Sequence, residues 1–344
     1  MTETSLPAWV TTNRHVVAWD DGFRPSGAAA TDAAPAPGKM VVDQPKSSPG
    51  LFRVVENAVP DAVAAALYES AVAAKVWGVY IRTSDVFDRS LEAYPATKDD
   101  HARHTLALRT IRAFLLNAEA SIPAADWANT HGVVVWVITS TVSDTVAYHM
   151  DYAEMFRYQT NVTYPPMYGA TLHVSRLNET PESHMEGGAF YANTRGLDHY
   201  KEHGYKESLA PLPPLEQMTT DPSYVVVPYK YKRGIVMDGN FPHGSIPVSA
   251  LPSETSRVVV GFNLFNYEIG PHAEAYPEHS AKFNKYVKVA QAAAAKTATL
   301  SLASIKRCPR QAAFLRFLLR KAKEKNLIQN ATFVGHTSSS NTAT

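Results

Sequence analysis

The spacing of hydrophobic and polar residues changes near Gly132. Before this point, two segments carry apolar residues at helical spacing, and short apolar runs typical of strands lie beside them. The predicted order is a strand, a helix, a strand and a helix, in the segments LFRVVENAVP, DAVAAALYESAVAA, VWGVYIRT and TLALRTIRAFLLNAEASI. Pro60 suits the first turn of the first helix.

After Gly132, short runs rich in β-branched and aromatic residues alternate with turn-forming residues. About eight strands are predicted there: GVVVWVIT, the segment around YHMD, YGATLHVSRL, GGAFYANTR, YVVVPYKY, GIVMDG, SIPVSA and RVVVGFNLF. This number is typical of a sandwich or jelly roll, which can shelter a pocket between its sheets. Helical patterns return over 281–295 and 310–325. The predicted fold class is α+β, mainly β, with a sandwich or jelly-roll core, N-terminal helices packed on it and C-terminal helices.

Composition divides the chain into three predicted parts. Residues 24–50 are rich in Pro, Ala, Gly and Ser, so we interpret 1–50 as a flexible or extended arm. The globular domain is expected over 51–270. Residues 271–344 are expected to form a helical extension with a disordered tail.

Charge and cysteine content limit the choice of partners and compartments. Net charge is +1, from 33 basic and 32 acidic residues, so no overall charge attracts nucleic acid or acidic membranes. Cys308 is the single cysteine, which excludes an intrachain disulfide and fits a reducing compartment. We see no signal-peptide pattern and no apolar run near the roughly 18 residues of a membrane span. A cytoplasmic protein without a membrane span is expected.

The first candidate for chemistry follows the apolar run GVVVWVIT. His149 and Asp151 lie two residues apart, so on a strand their side chains point to the same face. Neutral imidazole and carboxylate together suit Fe(II), and a second histidine would complete a facial triad. The pair alone is a weak signal, because composition predicts roughly one His-x-Asp/Glu by chance. The chain has three, and the others are His184-Met-Glu186 and His272-Ala-Glu274.

Two later residues add to this pattern. His243 lies between a proline and a glycine, an unusual place for a core histidine, although a solvated turn is the alternative. Arg257 opens RVVVGFNLF, the most apolar predicted strand. A buried guanidinium is costly without an anionic partner, and its fork suits a carboxylate. The alternative is an arginine at the mouth of the strand, in water.

This order of motifs resembles the Fe(II)/2-oxoglutarate-dependent dioxygenases, and the prolyl-4-hydroxylase-like branch is most similar. The motifs are HMD, the pair Gly187 and Gly188, HGSIPV, and an arginine on the last strand. The opening LFRVVENAVPDAVAAAL also resembles that branch, and the resemblance covers about Leu51 to Phe265. It implies a double-stranded β-helix core with four strands between the acidic ligand and the distal histidine.

Strand count then separates the three pairs. Four predicted strands lie between Asp151 and His243, whereas three lie between Glu186 and His243, and His272-Ala-Glu274 comes after the last strand. The resemblance therefore implies that His149, Asp151 and His243 bind Fe(II), and that Arg257 binds the far carboxylate of 2-oxoglutarate. No protein acid or base is expected.

Two further side chains and a reductant complete the expected site. Thr171 and His173, on one face of the next strand, are candidates for secondary cosubstrate contacts, and a satisfied core or surface histidine is the alternative for His173. Ascorbate is a candidate reductant.

The implied reaction is oxidation of a C–H bond, with hydroxylation as the main expectation, coupled to oxidative decarboxylation of 2-oxoglutarate. Polar and aromatic side chains in two long loops, 152–167 and 197–222, fit a polar, amino-acid-like small molecule. The alternatives are a nucleobase or protein side-chain oxygenase of the same fold, and a non-catalytic β-barrel binding module.

A basic segment near the C-terminus gives one more candidate partner. Between Ile305 and Lys325 there are eight basic residues and one acidic residue. We interpret this segment as a helix that packs on the core and presents a cationic outer face. Nucleic acid or an acidic membrane surface is the alternative partner.

Overall fold

The computed structural model describes residues 16–19, 39–42, 45–74, 76–88, 90, 99–142, 146, 148–153, 162–203, 213–266 and 285. The chain divides into two units, Ala8–Lys288 and the combination of Met1–Pro7 with Val289–Thr344. All described residues belong to the first unit. The basic segment 305–325 and, apart from Lys285, both predicted C-terminal helices lie outside them, and the division at residues 50 and 270 stays a prediction.

The strands of the described residues are β1 Val16–Trp19, β2 Lys39–Val42, β3 Phe52–Val55, β4 Val76–Arg82, β5 Gly132–Ser140, β6 Val162–Thr163, β7 Tyr168–His173, β8 Phe190–Asn193, β9 Tyr224–Val227, β10 Gly234–Asp238, β11 His243–Ser245 and β12 Arg257–Phe265. The α-helices are α1 Asp61–Ala74, α2 Thr83–Phe87, α3 Asp99–Phe114, α4 Ala124–Asn129, α5 Leu197–His203 and α6 Leu215–Thr220. Short 3₁₀ helices span Ala118–Ala120 and Pro181–Ser183. None of the helices in the described part has the length and apolar character needed to cross a membrane.

Two antiparallel sheets carry the candidate site. The larger has the strand order β3-β10-β7-β12-β5-β4, and the smaller has the order β11-β8-β9. A third sheet, β1-β2-β6, includes a parallel pair between β2 and β6. Antiparallel sheets with a few helices confirm the α+β, mainly β class.

The larger sheet has one face toward the helices and one toward the smaller sheet. Helix α1 buries Ala64, Leu67 and Ala71, a spacing of three and four residues that places them on one side. These residues join a core with alternate residues of β5 and β12, and Phe262 meets Phe114 of α3 with ring centroids 5.7 Å apart.

The other face of the larger sheet packs on the smaller one. Ile235 and Met237 of β10 form a cluster with Phe190 and Val227 of the smaller sheet. Strand register places Thr171, His173, Arg257 and Asn263 on this same face, because they lie directly opposite its members across neighbouring strands. The polar residues of interest therefore lie between the two sheets.

Three predicted elements differ in their bounds. Helix α3 begins at Asp99 rather than Thr105 and ends at Phe114, after which Asn117 caps a 3₁₀ turn by accepting a hydrogen bond from Glu119 N. The predicted strand SIPVSA is replaced by β11, which ends at Ser245 before Pro247. The YHMD segment forms an isolated bridge instead of a strand.

Candidate metal centre

Backbone pairing brings His149 and His243 together. The His149 N–H donates to the His243 carbonyl oxygen at 2.8 Å, and the His243 N–H donates to the His149 carbonyl oxygen at 2.7 Å. Residues paired in this way point their side chains to the same side. The two imidazole centroids are 4.5 Å apart. The pairing thus extends the smaller sheet beyond β11 and places both rings at one point.

Asp151 completes a cluster of three donor groups. Its Oδ1 lies 3.2 Å from His149 Nε2, and its Oδ2 lies 3.7 Å from His243 Nε2. One donor atom from each residue falls within 4.8 Å of the others. The side chains of His149, Asp151 and His243 are 12%, 14% and 5% exposed. Among the described residues, no other group of three or more His, Cys, Asp or Glu side chains brings its donor atoms this close together.

The alternation of side chains explains why these residues converge. Tyr148 and Met150, the neighbours of His149, are each 1% exposed and pack in an aromatic cluster with Tyr191 and Tyr200. Burial of this apolar set fixes the register, because a shift by one residue would exchange the two faces. His149 and Asp151 are then left on the side of the site.

The ring of His243 has a defined tautomer. Its Nδ1 lies 3.0 Å from the carbonyl oxygen of Phe241, which can only accept a hydrogen bond. Nδ1 therefore carries a proton, and in the neutral ring the lone pair is on Nε2, toward Asp151. A backbone carbonyl that holds the second nitrogen is typical of metal-binding histidines. Phe190 stacks on the other side of the ring, with centroids 5.6 Å apart.

The turn before His243 is supported by Asp238, at the end of β10. Its Oδ1 accepts from Asn240 N at 2.9 Å, its Oδ2 accepts from Gly50 N at 2.8 Å, and Lys46 forms a buried ion pair with it. Residues 45–50 of the predicted arm thus contact the loop that carries the distal histidine. This support was not predicted from the sequence, because Lys46 lies in a Pro- and Ser-rich run without an apolar pattern.

Asn263 on β12 is a second supporting residue that was not predicted from the sequence. It is fully buried, and with its amide nitrogen toward the site it donates to Asp151 Oδ2 at 2.9 Å. An asparagine within the apolar run RVVVGFNLF could have indicated a role in the site. It is an even number of residues from Arg257, so both side chains lie on the same face of the strand. Its contact fixes the orientation of the carboxylate.

Replacing Asn263 with alanine is expected to lower metal affinity about 10- to 100-fold, the usual effect of losing an outer-shell partner. Titration with Fe(II) under argon measures the metal affinity. Asn178→Ala, at an exposed position before the 3₁₀ helix Pro181–Ser183, serves as a control. Unchanged affinity in Asn263→Ala with a folded protein would contradict the role assigned to the amide.

Arg257 is the buried cation expected from the sequence. It is 3% exposed, and its Nη2 donates to the Gly188 carbonyl oxygen at 3.3 Å. Its Nε has no hydrogen-bond partner, and no carboxylate among the described residues pairs with it. Burial lowers the pKa of Arg257, although the Tyr229 ring, 5.9 Å from Cζ, partly offsets this effect. A buried guanidinium without an acid is a ready site for an anionic ligand.

His173 lies on the same face, opposite Val259. The ring is fully buried and stacks on Tyr229 with centroids 4.3 Å apart. Burial lowers the pKa of His173 to about 3, and the charges of Arg257 and Arg233 act in the same direction. Its neighbour Thr171 is also buried and lies opposite Gly261. Both candidates for secondary contacts therefore face the interior between the sheets.

The low pKa of His173 predicts a loss of stability in acid. The unfolded chain binds a proton here below about pH 6.5, whereas the folded chain does so only near pH 3, so stability falls as pH decreases through this window. At pH 5 this residue should cost about 2 kcal/mol. We expect the difference in unfolding free energy between pH 7.5 and pH 5, from urea titrations in chelator, to shrink by that amount in His173→Leu. The same difference in both proteins would contradict a neutral buried ring.

The rival pair His184 and Glu186 does not form a comparable site among the described residues. His184 and Glu186 are exposed, and Met185 between them is buried. Glu186 instead accepts a hydrogen bond from Ser249 Oγ at 3.1 Å. His272 and Glu274 lie outside the described residues, as do 154–161 and 204–212 of the two loops.

No family model matches the chain, and no curated protein sequence matches it. Solved structures do match. A prolyl-4-hydroxylase from Pseudomonas putida has 12% identity and a TM-score of 0.33, covering 63% of this chain and 85% of that chain. A prolyl hydroxylase from Trichoplax adhaerens, in complex with a hypoxia inducible factor peptide fragment, has 9% identity and a TM-score of 0.34, covering 63% and 84%.

HygX from Streptomyces hygroscopicus, with nickel and 2-oxoglutarate bound, also matches. It has 14% identity and a TM-score of 0.31, covering 62% of this chain and 82% of that chain. These matched structures are Fe(II)/2-oxoglutarate oxygenases.

Proposed function

We propose that the protein is a non-haem Fe(II) oxygenase that couples oxidation of a substrate C–H bond to decarboxylation of 2-oxoglutarate. The observation that carries this proposal is the convergence of His149, Asp151 and His243, beside a buried arginine without an acid. We also propose that the two facing sheets form a double-stranded β-helix, with the site between them.

The donor set fits Fe(II). Two imidazole nitrogens and one carboxylate suit this ion and leave positions open for other ligands, which is the facial-triad arrangement. The separations of 3.2 and 3.7 Å between donor atoms are compatible with ligands around one small cation. Phe241 and Asn263 would keep His243 and Asp151 in orientation, through the contacts described above.

The buried cation fits 2-oxoglutarate. Arg257 offers Nε and the remaining guanidinium hydrogens to a carboxylate, and a bidentate pair of this kind is strong and directional. Holding the far carboxylate would direct the keto acid end toward the metal ligands, since Arg257 lies on the same face as Asn263.

The residues of the chain would then bind and orient the iron and the keto acid, and they would exclude water from the site. When bound, the iron and the keto acid supply the oxidative chemistry, with succinate and carbon dioxide as products. The slight exposure of the three ligands limits access of water to the site. No side chain is assigned as acid or base. Ascorbate as a reductant stays a prediction.

The substrate class is proposed from the composition of the two segments that were predicted as loops, the second of which contains helices α5 and α6. A polar, amino-acid-like small molecule fits the mixture of tyrosine, histidine, lysine and arginine in 152–167 and 197–222. Oxidation of a nucleobase or of a protein side chain, and a non-catalytic binding module, are the alternatives.

Succinate release tests the proposal. Purified protein with Fe(II), 2-oxoglutarate and oxygen should release succinate, and the right substrate should increase the rate. His149→Ala should abolish the signal, whereas His184→Ala, in the exposed rival pair, should retain it. Absence of succinate with Fe(II)-loaded protein across free amino acids, peptides and nucleotides would favour the binding module.

A further inference from the structure

Residues 45–50 lie against the end of β10, and we call this segment the strap. Lys46 of the strap forms an ion pair with Asp238, and the two side chains are only 4% and 5% exposed. Gly50 N donates to the other carboxylate oxygen of Asp238 at 2.8 Å. A buried ion pair holds its partners firmly, because separating them leaves a buried charge unpaired. The strap therefore fixes the position of the Asp238 side chain.

The strap is held at a second point by helix α4. Asp126, which is 2% exposed, accepts from Ser47 N at 2.9 Å and from Ser47 Oγ at 2.7 Å. Tyr168 joins this contact, since its hydroxyl donates to Asp126 at 2.6 Å and accepts from Ser48 N at 3.2 Å. Both prolines of the strap are exposed, so polar contacts rather than apolar burial hold it in place.

A short chain of hydrogen bonds connects Asp238 with the proposed metal ligand His243. Asp238 accepts from Asn240 N at 2.9 Å through its side chain and from Phe241 N at 3.0 Å through its backbone carbonyl. The Phe241 carbonyl in turn accepts from His243 Nδ1 at 3.0 Å. The turn 238–241 thus carries the carbonyl that orients the imidazole, and a displacement of Asp238 would move that carbonyl.

We infer that Lys46 is a positioning residue for the metal centre, and that docking of the strap and binding of the metal stabilise each other. This inference rests on the proposed function, because it takes His243 as a metal ligand. Lys46 acts through Asp238 and the turn 238–241, and it is not itself a ligand. Coupling of this kind is reciprocal: the docked strap favours the metal by the same factor as the metal favours the docked strap.

The first test measures Fe(II) affinity in variants of Lys46, by titration under argon with a competing chelator. Lys46→Met removes the charge and keeps most of the length of the side chain. It should weaken Fe(II) binding about 10-fold, at the lower end of the usual loss of an outer-shell partner. Lys46→Arg, which can form the ion pair again, should recover most of the affinity. Lys232→Met should bind Fe(II) like the wild-type protein, because Lys232, which is 16% exposed, pairs instead with the exposed Asp61.

Urea unfolding of the same variants separates positioning from a general role in stability. A variant that is less stable but still folded binds a ligand with unchanged affinity, because the unfolded fraction stays small. Lys46→Met with a lower unfolding free energy and wild-type Fe(II) affinity would therefore assign Lys46 to stability alone. A lower Fe(II) affinity in a folded Lys46→Met protein, restored in Lys46→Arg, is the result that positioning requires.

The second test uses the wild-type protein, so it does not depend on whether Lys46→Met folds. Trypsin cleaves after lysine, and the Lys46–Ser47 bond should be cut only when the buried Lys46 side chain leaves Asp238. Saturating Fe(II) under argon should slow this cleavage about 10-fold, the factor expected from reciprocity. The same addition should have no effect in His149→Ala. Cleavage after the exposed Lys285 controls for an effect of iron on trypsin itself.

Failure of this inference differs from failure of the proposed function. Equal Fe(II) affinity in folded Lys46→Met and wild-type protein, or equal cleavage at Lys46–Ser47 with and without Fe(II), would overturn the inference. In both cases the wild-type protein would still bind Fe(II). If the wild-type protein does not bind Fe(II), the proposed function itself fails, and the inference with it.

Discussion

Replacing Asp151 with alanine is expected to weaken Fe(II) binding by more than about 100-fold, beyond the usual loss of an outer-shell partner, and to abolish succinate release. The carboxylate is the anionic donor of the cluster, with oxygens 3.2 and 3.7 Å from the two imidazole nitrogens. Without it, two neutral rings remain, and a divalent cation loses its charged ligand. Anaerobic titration with a competing chelator measures the change.

A matched control comes from the rival pair. Glu186→Ala also removes a carboxylate, but from the exposed His184-Met-Glu186 motif, which has the same spacing as His149-Met-Asp151. It should bind Fe(II) like the wild-type protein. Equal Fe(II) affinity in folded Asp151→Ala and Glu186→Ala would show that the cluster does not bind the metal.

Replacing Arg257 with leucine should separate binding from stability. Loss of one partner of a buried charge pair typically costs about 2–5 kcal/mol, so the affinity for 2-oxoglutarate should fall about 30-fold or more. The unliganded variant should be as stable as the wild-type protein or more so, because a buried cation without an acid has been removed. Calorimetry and urea unfolding measure the two effects.

The control for this variant is Arg176→Leu. Arg176 is 61% exposed and pairs with Asp61 and Glu179, unlike the buried Arg257. Its replacement should leave the affinity for 2-oxoglutarate unchanged. An Arg257→Leu protein that unfolds more easily but binds 2-oxoglutarate normally would reverse both expectations and assign the arginine a purely structural role.

Local pattern was sufficient for most of the fold that surrounds the site. Helix α1 matches its predicted segment, and strands β4, β5 and β12 follow their apolar runs closely, since each buries a continuous or periodic apolar face. Strand β11 was misplaced because it has three residues and depends on pairing with β8 and His149. The start of α3 was missed because DDHARH carries no apolar period.

The residues of the candidate site that local sequence spacing determines were predictable. Those whose role depends on contacts between distant segments were not. His149 and Asp151 lie two residues apart in one strand-like segment, which predicts side chains on the same face. The position of Arg257 in an apolar run suggested a buried cation. The amide of Asn263 and the ion pair of Lys46 with Asp238 depend on how separate segments meet. A sequence pattern contains no such distances, so these supporting residues appear only in the folded chain.

The most direct test of a shared iron and keto acid site is an anaerobic titration of the protein with Fe(II) and 2-oxoglutarate, followed in the visible range. We predict a weak charge-transfer band that saturates at one equivalent of each ligand and that His149→Ala eliminates. A protein that binds neither ligand, or a band that survives in His149→Ala, would contradict the assignment.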